Sequence, residues 1–344
     1  MLRSSRGMKE KVKTIKIIGQ IIEADDESEP LRLDECLLTE LVKISIENKI
    51  FLLFYEKLCE HGYILPNYVQ AIAEEQKRQE SIYKNILKEI SELASSESVD
   101  FLVIKTIRPF PYVGSDVDII LHSNEEFKCF THILVKHGYN IIGGGNNEVT
   151  LEKNVNQEIF LVDVHDNISA AGIVYIDKKV LWKNKSKINL DGSDIWVPSP
   201  EAELALMAAH TMFKELNIPL SDFFNTMYLI NHVDWDDMHV ILNKENLEVA
   251  FSAFMSAINN IHKLLYGSTI HSPYLNGNFL SNKRIINAVN KDFSRKLTMP
   301  YYYSPIIVAA SYIDKLKKNP KEIFKLTLSR HAVLSLLNYF KKVV

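Results

Sequence analysis

Residues 33–61 and 68–94 place apolar side chains at the three- and four-residue spacing of amphipathic helices, with Pro66 between them as a stop signal. SSES, residues 95–98, then reads as a loop. Beyond it the pattern changes to short β-rich runs bounded by turn residues: DFLVIK (100–105), SDVDIIL (115–121), EVTLEK (148–153) and EIFLVDVH (158–165). The run NEEFKCFTHILVKHGY predicts a helix between the second and third strands, capped by Ser123 or Asn124. IIGGGNN (141–147) predicts a loop, either hinge or hairpin, leading to the third strand. It lacks the Lys-Ser/Thr and following helix of a P-loop. A last strand is expected through SDIWVPS.

Helical spacing returns at Ser199, a good N-cap, followed by Pro200 at the first helical position. Short helices joined by brief turns then run to the C-terminus, one of them opening on Asp234, Trp235 and Asp236. The expected fold class is α+β. A helical region over 1–95 precedes a small mixed sheet over 96–198, and a helical domain with a basic tail follows over 199–344.

Apolar residues make up 47% of the chain and charged residues 24%, an ordinary globular balance. No run approaches the ~18 consecutive apolar residues of a membrane span. The N-terminus is basic but lacks the apolar core and cleavage site of a secretory signal. Cys36, Cys59 and Cys129 have neither metal-ligand spacing nor an even count, so reduced, buried thiols in a cytoplasmic protein are expected. Thirteen Lys and Arg residues lie from Lys283 onward, opposed by Asp292, Asp314 and Glu322. Such a segment suits an anionic partner or a solvated helix surface. MPYYYSP (299–305) sets aromatics among these cations, which suits single-stranded RNA as well as simple packing.

Asp116 and Asp118 stand two apart in an apolar run, so in a strand both point to one face. Unpaired buried carboxylates are costly, and a divalent cation with a bound phosphate removes both their repulsion and their lost hydration. Asp163 sits alone between Val162 and Val164 on a later apolar strand that could bring it beside the pair. Three converging carboxylates can hold metal and leave an oxygen free to take a proton. Gly114 and Ser115 add a turn and a hydroxyl suited to a phosphate oxygen. His165 faces the same way as Asp163, either for proton transfer or acceptor contact, or as its hydrogen-bonded partner. His210 lies beside the apolar stripe of its helix and reads as a core histidine.

This arrangement resembles the nucleotidyltransferase superfamily with a DNA polymerase β-like palm. More narrowly, it is similar to an uncharacterised nucleotidyltransferase family with helical flanks. FLVIKT, SDVDIIL, LVDVH, KKVLW, VPSPEAELALMAAHTMFKE and INHVDWDDMHVI carry the likeness in order, from Phe101 to Ile241. Two positions depart from the pattern: Lys105-Thr106 replaces its Lys-Gly, and Tyr112 stands where an arginine is usual, Arg108 being the nearest.

The resemblance implies a Mg²⁺- or Mn²⁺-dependent transferase that moves NMP from an NTP such as ATP to a hydroxyl acceptor, releasing pyrophosphate. It implies metal ligation and catalysis by Asp116, Asp118 and Asp163. Nucleotide contacts are implied for Gly114, Ser115, Lys105, Thr106 and Arg108. The acceptor is an RNA or tRNA end, a protein or a small hydroxylated molecule. The rival expectation is a catalytically silent scaffold that keeps the fold and binds through its helical flanks and basic tail. Asn at position 116 or 118 is expected to abolish transfer while leaving the melting temperature unchanged or higher.

Overall fold

The computed structural model describes residues 2–23, 31–145, 147–170, 172–270 and 282–317. The basic residues from Lys318 onward lie outside the described residues.

Four helices lead into the sheet: α1 (Leu2–Glu23), α2 (Glu35–Glu47), α3 (Phe51–Glu60) and α4 (Asn67–Ser96). Then follow β1 (Phe101–Ile104), β2 (Val117–Leu121), α5 (Asn124–Lys136), β3 (Asn140–Gly144), β4 (Glu148–Val155) and β5 (Glu158–His165). A small hairpin, β6 (Ile168–Ala170) and β7 (Ile173–Ile176), precedes α6 (Lys178–Lys183), β8 (Lys185–Leu190) and β9 (Ser193–Pro198). The rest is mainly helical: α7 (Pro200–His210) with a π-helical turn over Thr211–Glu215, β10 (Asn217–Ile218), α8 (Leu220–Leu229), α9 (Trp235–Glu245), α10 (Glu248–Tyr266), α11 (Lys283–Lys296), β11 (Tyr301–Tyr302) and α12 (Pro305–Leu316). Among the described residues no helix is long and apolar enough to cross a membrane.

The strands form one seven-stranded mixed sheet in the order β3-β4-β5-β2-β1-β9-β8. β2 runs parallel to β5 and antiparallel to β1, while β1 is parallel to β9. Because strand side chains alternate, each central strand divides its residues between two cores. Phe101, Val103, Val117, Ile119, Leu121, Phe160, Val162 and Val164 pack under α4 and α5 with Ile86, Ile90, Phe130 and Leu134. Leu102, Ile104 and Ile120 join the other core, which unites the N-terminal helices with those after the sheet. Asp118, Asp163 and His165 alternate onto this second face, at the end of the sheet covered by helices rather than within its apolar layer.

Local chemistry explains the element ends. Ser123 caps α5 in a full capping box with Glu126, which stops the helix short of β2. Ser199 caps α7 with Pro200 in its first turn, and Asp234 caps α9 by accepting from the amides of Asp236 and Asp237.

Two expectations are corrected. Residues 140–144 form β3 rather than a loop; it is exposed throughout and so carries no alternating pattern that would mark it in sequence. The hairpin reading of the glycines holds, since Gly144 has φ +155° and a Cβ there would lie 2.8 Å from the Glu148 carbonyl oxygen. The three cysteines are free but exposed, lying on the outward sides of α2, α3 and α5. The tyrosines of MPYYYSP divide: Tyr301 and Tyr303 are buried packing residues, and Tyr302 is exposed.

Candidate active site

The parallel register of β2 and β5 sets Asp118 directly opposite Asp163, with His165 two residues further along the same face. Asp118 Oδ1 accepts from Lys105 Nζ at 2.7 Å and from His165 Nε2 at 2.8 Å. His165 therefore partners Asp118 rather than Asp163. Its Nδ1 lies 3.5 Å from Glu148 Oε2 on β4, without a hydrogen bond. Asp163 Oδ1 is buried and has no hydrogen-bond donor.

Lys105 follows β1 in the left-handed region, at φ 58°. Thr106 makes that turn: its amide bonds the Ile104 carbonyl at 2.6 Å, and its hydroxyl accepts from the Asp118 amide at 2.9 Å. The threonine thus fastens the end of β1 to the start of β2. The ammonium of Lys105 is turned onto Asp118 as a consequence.

Burial works against every charge here, so the balance depends on partners. Burial would raise the Asp118 carboxyl, but Lys105 and His165 hold it far below the usual carboxylate range. Burial likewise disfavours the Lys105 ammonium, and the Asp118 charge overrides it, keeping the lysine protonated. Asp116 has no such partner. Burial, then the Asp118 and Asp163 charges, push its carboxyl up, with Lys105 opposing.

Asp118, Asp163 and His165 each offer one ligand atom, and those atoms lie within 4.8 Å of one another. Asp116 precedes β2 and falls outside that grouping. The donor set and the orphaned Asp163 oxygen fit a hard divalent cation.

Beside the carboxylates lies a cleft of about 320 Å³. Lys105, Thr106, Arg108, Gly114, Ser115 and Asp116 all line it, so every residue expected to contact nucleotide faces one space. Asp118 adjoins the cleft through Lys105, which lines it and touches the carboxylate. The Cβ of any residue replacing Gly114 would lie 3.2 Å from the Asp116 carbonyl oxygen, so this turn is tight.

Arg108 is turned inward and its charge is neutralised by protein. It bonds Asp222 Oδ1 on α8 at 2.9 Å and lies 3.8 Å from Glu203 on α7. Its guanidinium also lies 5.4 Å from the Tyr112 ring centroid. Burial pushes the carboxyls of Asp222 and Glu203 up, and Arg108 opposes that shift in both.

Other lining residues carried no clear signal in sequence. Lys49 enters from the α2–α3 link, where the Asn48 side chain and carbonyl accept from the Leu220 and Ser221 amides. Lys214 and Glu215 come from the π-helical turn, a rare local form that frequently sits at functional sites. His210, on the cleft wall, bonds Tyr175 Oη through Nδ1 at 3.0 Å and lies 3.3 Å from Glu215 Oε1 through Nε2. That pairing fits a neutral ring with its proton on Nε2, and burial and Lys105 lower its pKa to about 4.

The profile of an uncharacterised nucleotidyltransferase family matches residues 37–261, from α2 into α10. The chain belongs to that nucleotidyltransferase family. Among curated proteins no match is found. A solved structure that is similar is an antigenic nucleotidyltransferase-like protein from Paracoccidioides brasiliensis, at 13% identity and a TM-score of 0.35 over 49% of this chain and 91% of that one. The nucleotidyltransferase match takes in Lys49 and the whole carboxylate cluster, and it ends before the basic segment.

Proposed function

We propose that this chain transfers a nucleoside monophosphate from a nucleoside triphosphate to a hydroxyl acceptor, using Mg²⁺ or Mn²⁺ held by Asp118 and Asp163 with Asp116 beside them. The observation that carries this reading is the Asp163 Oδ1 atom, buried without a donor directly across from Asp118, whose partner Lys105 lines a cleft with Lys49, Arg108 and Lys214. A buried carboxylate oxygen left unsatisfied is costly, and a cation or an incoming hydroxyl proton satisfies it.

When bound, the cation supplies neutralisation of the phosphate oxygens around the reacting phosphorus. The protein does the rest by positioning and charge. Lys49 and Lys214 meet the outer phosphates, while Ser115 and the tight turn at Gly114 hold the inner ones. Asp163 receives the acceptor's hydroxyl proton as its oxygen bonds to the α-phosphorus. The bond from that phosphorus to the bridging oxygen breaks, and pyrophosphate leaves. Lys105 remains the counter-ion of Asp118 and faces the same cleft, so it also offsets charge gathering on the pyrophosphate.

The test is thermal stabilisation by each NTP with Mg²⁺ or Mn²⁺. A metal-dependent rise with the wild type, lost with Asp163→Asn, is expected. Equal stabilisation of both proteins, or none of either, would count against the reading.

A further inference from the structure

The segment from Thr106 to Asp116 has a second cleft on its other side. This space of about 350 Å³ lies between that segment, α4 and Leu190 of β8. Thr106, Arg108, Tyr112, Gly114 and Asp116 line both clefts, so the segment is a partition with Asp116 at both. A transferase that joins two substrates needs two approaches to its carboxylates, and Asp116, beside Asp118 and Asp163, lines the space on both sides of this partition.

The two sides differ in chemistry. The first cleft carries charge of both signs: it gathers Lys49, Lys105 and Lys214 from three parts of the chain together with the acids Glu47, Glu203, Glu215 and Asp222. Lys105 pairs with Asp118, and Lys214 lies 3.8 Å from Glu148. The second is walled by Tyr83, Leu87, Ile107, Phe110, Tyr112 and Leu190, with Pro109 and Pro111 stiffening the loop. Phe110 and Tyr112 meet edge to face at 6.4 Å, and Tyr83 donates its hydroxyl to the Ser115 carbonyl at 2.9 Å. The charged groups of this second cleft are largely neutralised within the protein. Lys84 pairs with Glu80 at 3.0 Å, and Arg108 pairs with Asp222. Asp116 remains as the charge facing the space. A polyanion such as RNA would meet a carboxylate there with no uncommitted cation to offset it. An apolar or aromatic molecule without net negative charge would find rings to stack on, in a volume typical of small-molecule sites.

On the transferase reading above, we infer that this second cleft is the acceptor site and that its ligand is a small hydroxylated molecule with a flat or apolar body and no net negative charge. The hydroxyl enters past Asp116, its oxygen takes the nucleotidyl group, and pyrophosphate leaves by the lysine-lined side.

Lys84 is exposed on α4, so Lys84→Trp plugs the mouth of the second cleft without touching a core. Wild type and Lys84→Trp are given the four [α-³²P]NTPs, Mn²⁺, and the RNA, protein and small-molecule fractions of a cell extract. Label is expected in the small-molecule fraction, changing less than about twofold between about 50 and 300 mM salt, where phosphate contacts would lose far more. Lys84→Trp is expected to lose about tenfold or more of that transfer, with thermal stabilisation by MnATP unchanged. Phe110→Ala, a milder change to the same wall, should raise KM for the labelled acceptor and leave KM for the NTP alone. Label entering RNA or protein overturns the inference while leaving the transferase reading intact. So does unchanged transfer in both variants, or loss of MnATP stabilisation in Lys84→Trp. If the wild type labels no fraction and MnATP does not stabilise it, the transferase reading itself fails and the acceptor site with it.

Discussion

Lys105 Nζ sits 2.7 Å from Asp118 Oδ1, with the side chains only 12% and 5% exposed, so this carboxylate is folded against its own counter-ion. Asn at 118 removes the charge that Lys105 needs and leaves a buried ammonium unpaired. This pairing reverses the sequence-based expectation of an unchanged or higher melting temperature at 118: we expect Asp118→Asn to lower stability by about 3 kcal/mol, measured by urea unfolding. Lys105→Met added to it should restore most of that loss, because the stranded charge is then gone. A double variant no more stable than Asp118→Asn alone would contradict the pairing.

The sequence-based expectation treated Asp116 and Asp118 alike, since two residues apart in a strand share a face. The fold separates them. Asp118 lies within β2 against Lys105 and His165, whereas Asp116 precedes the strand and faces both clefts. The lone Asp163, the cap at Ser123 and the Ser199-Pro200 helix start were legible because each rests on spacing along one strand or one turn. Lys49 was not, since the Asn48 that fixes its link bonds Leu220, 172 residues away. Nor was the role of Arg108, whose partner Asp222 is 114 residues distant. A buried acid in the apolar run PLSDFF was the available hint, but a sequence does not name its counter-ion.

Arg108 ties the partition to α7 and α8. Removing its charge leaves Asp222 and Glu203 buried as like charges. Arg108→Met is expected to cost about 3–5 kcal/mol in urea unfolding and to lose activity chiefly through that instability. Arg108→Met combined with Asp222→Asn should recover part of the stability. A single variant as stable as wild type would mean that Arg108 is not the clamp described.

Lys49 reaches the cleft from the α2–α3 link and Lys214 from the π-helical turn, and Lys49 is exposed. Charge-assisted contacts to phosphate are worth ~1.5–3 kcal/mol each, so Lys49→Ala and Lys214→Ala should each raise the Kd for MnATP by about tenfold or more. Their melting temperatures should stay near wild type. Calorimetric titration decides this, and unchanged affinity in both variants would remove them from the triphosphate site.

His210 titrates near 4 in the fold against 6.5 as a free side chain, because it is buried and close to Lys105. Between those values the unfolded chain binds a proton that the folded one does not, so stability rises with pH across that window. Acidification from pH 6.5 to 4 should therefore remove up to about 3 kcal/mol. Glu215, held down to about 2 chiefly by its hydrogen bond to His210, adds a loss of the same sign from about pH 4.5 to 2. Urea midpoints against pH should be flatter for His210→Gln over the upper window. An equal slope in both proteins would assign the effect elsewhere.

The central claim is that the nucleotidyl group, not the terminal phosphoryl group, is what moves. Parallel incubations with [α-³²P]ATP and [γ-³²P]ATP, with Mn²⁺ and a whole-cell extract, and the same pairing for the other NTPs, test it directly. The account predicts acceptor-bound label from the α position of at least one nucleotide, γ-label recovered only as pyrophosphate, and neither transfer with Asp163→Asn. Label passing to an acceptor from the γ position, or α-transfer undiminished in Asp163→Asn, would contradict it.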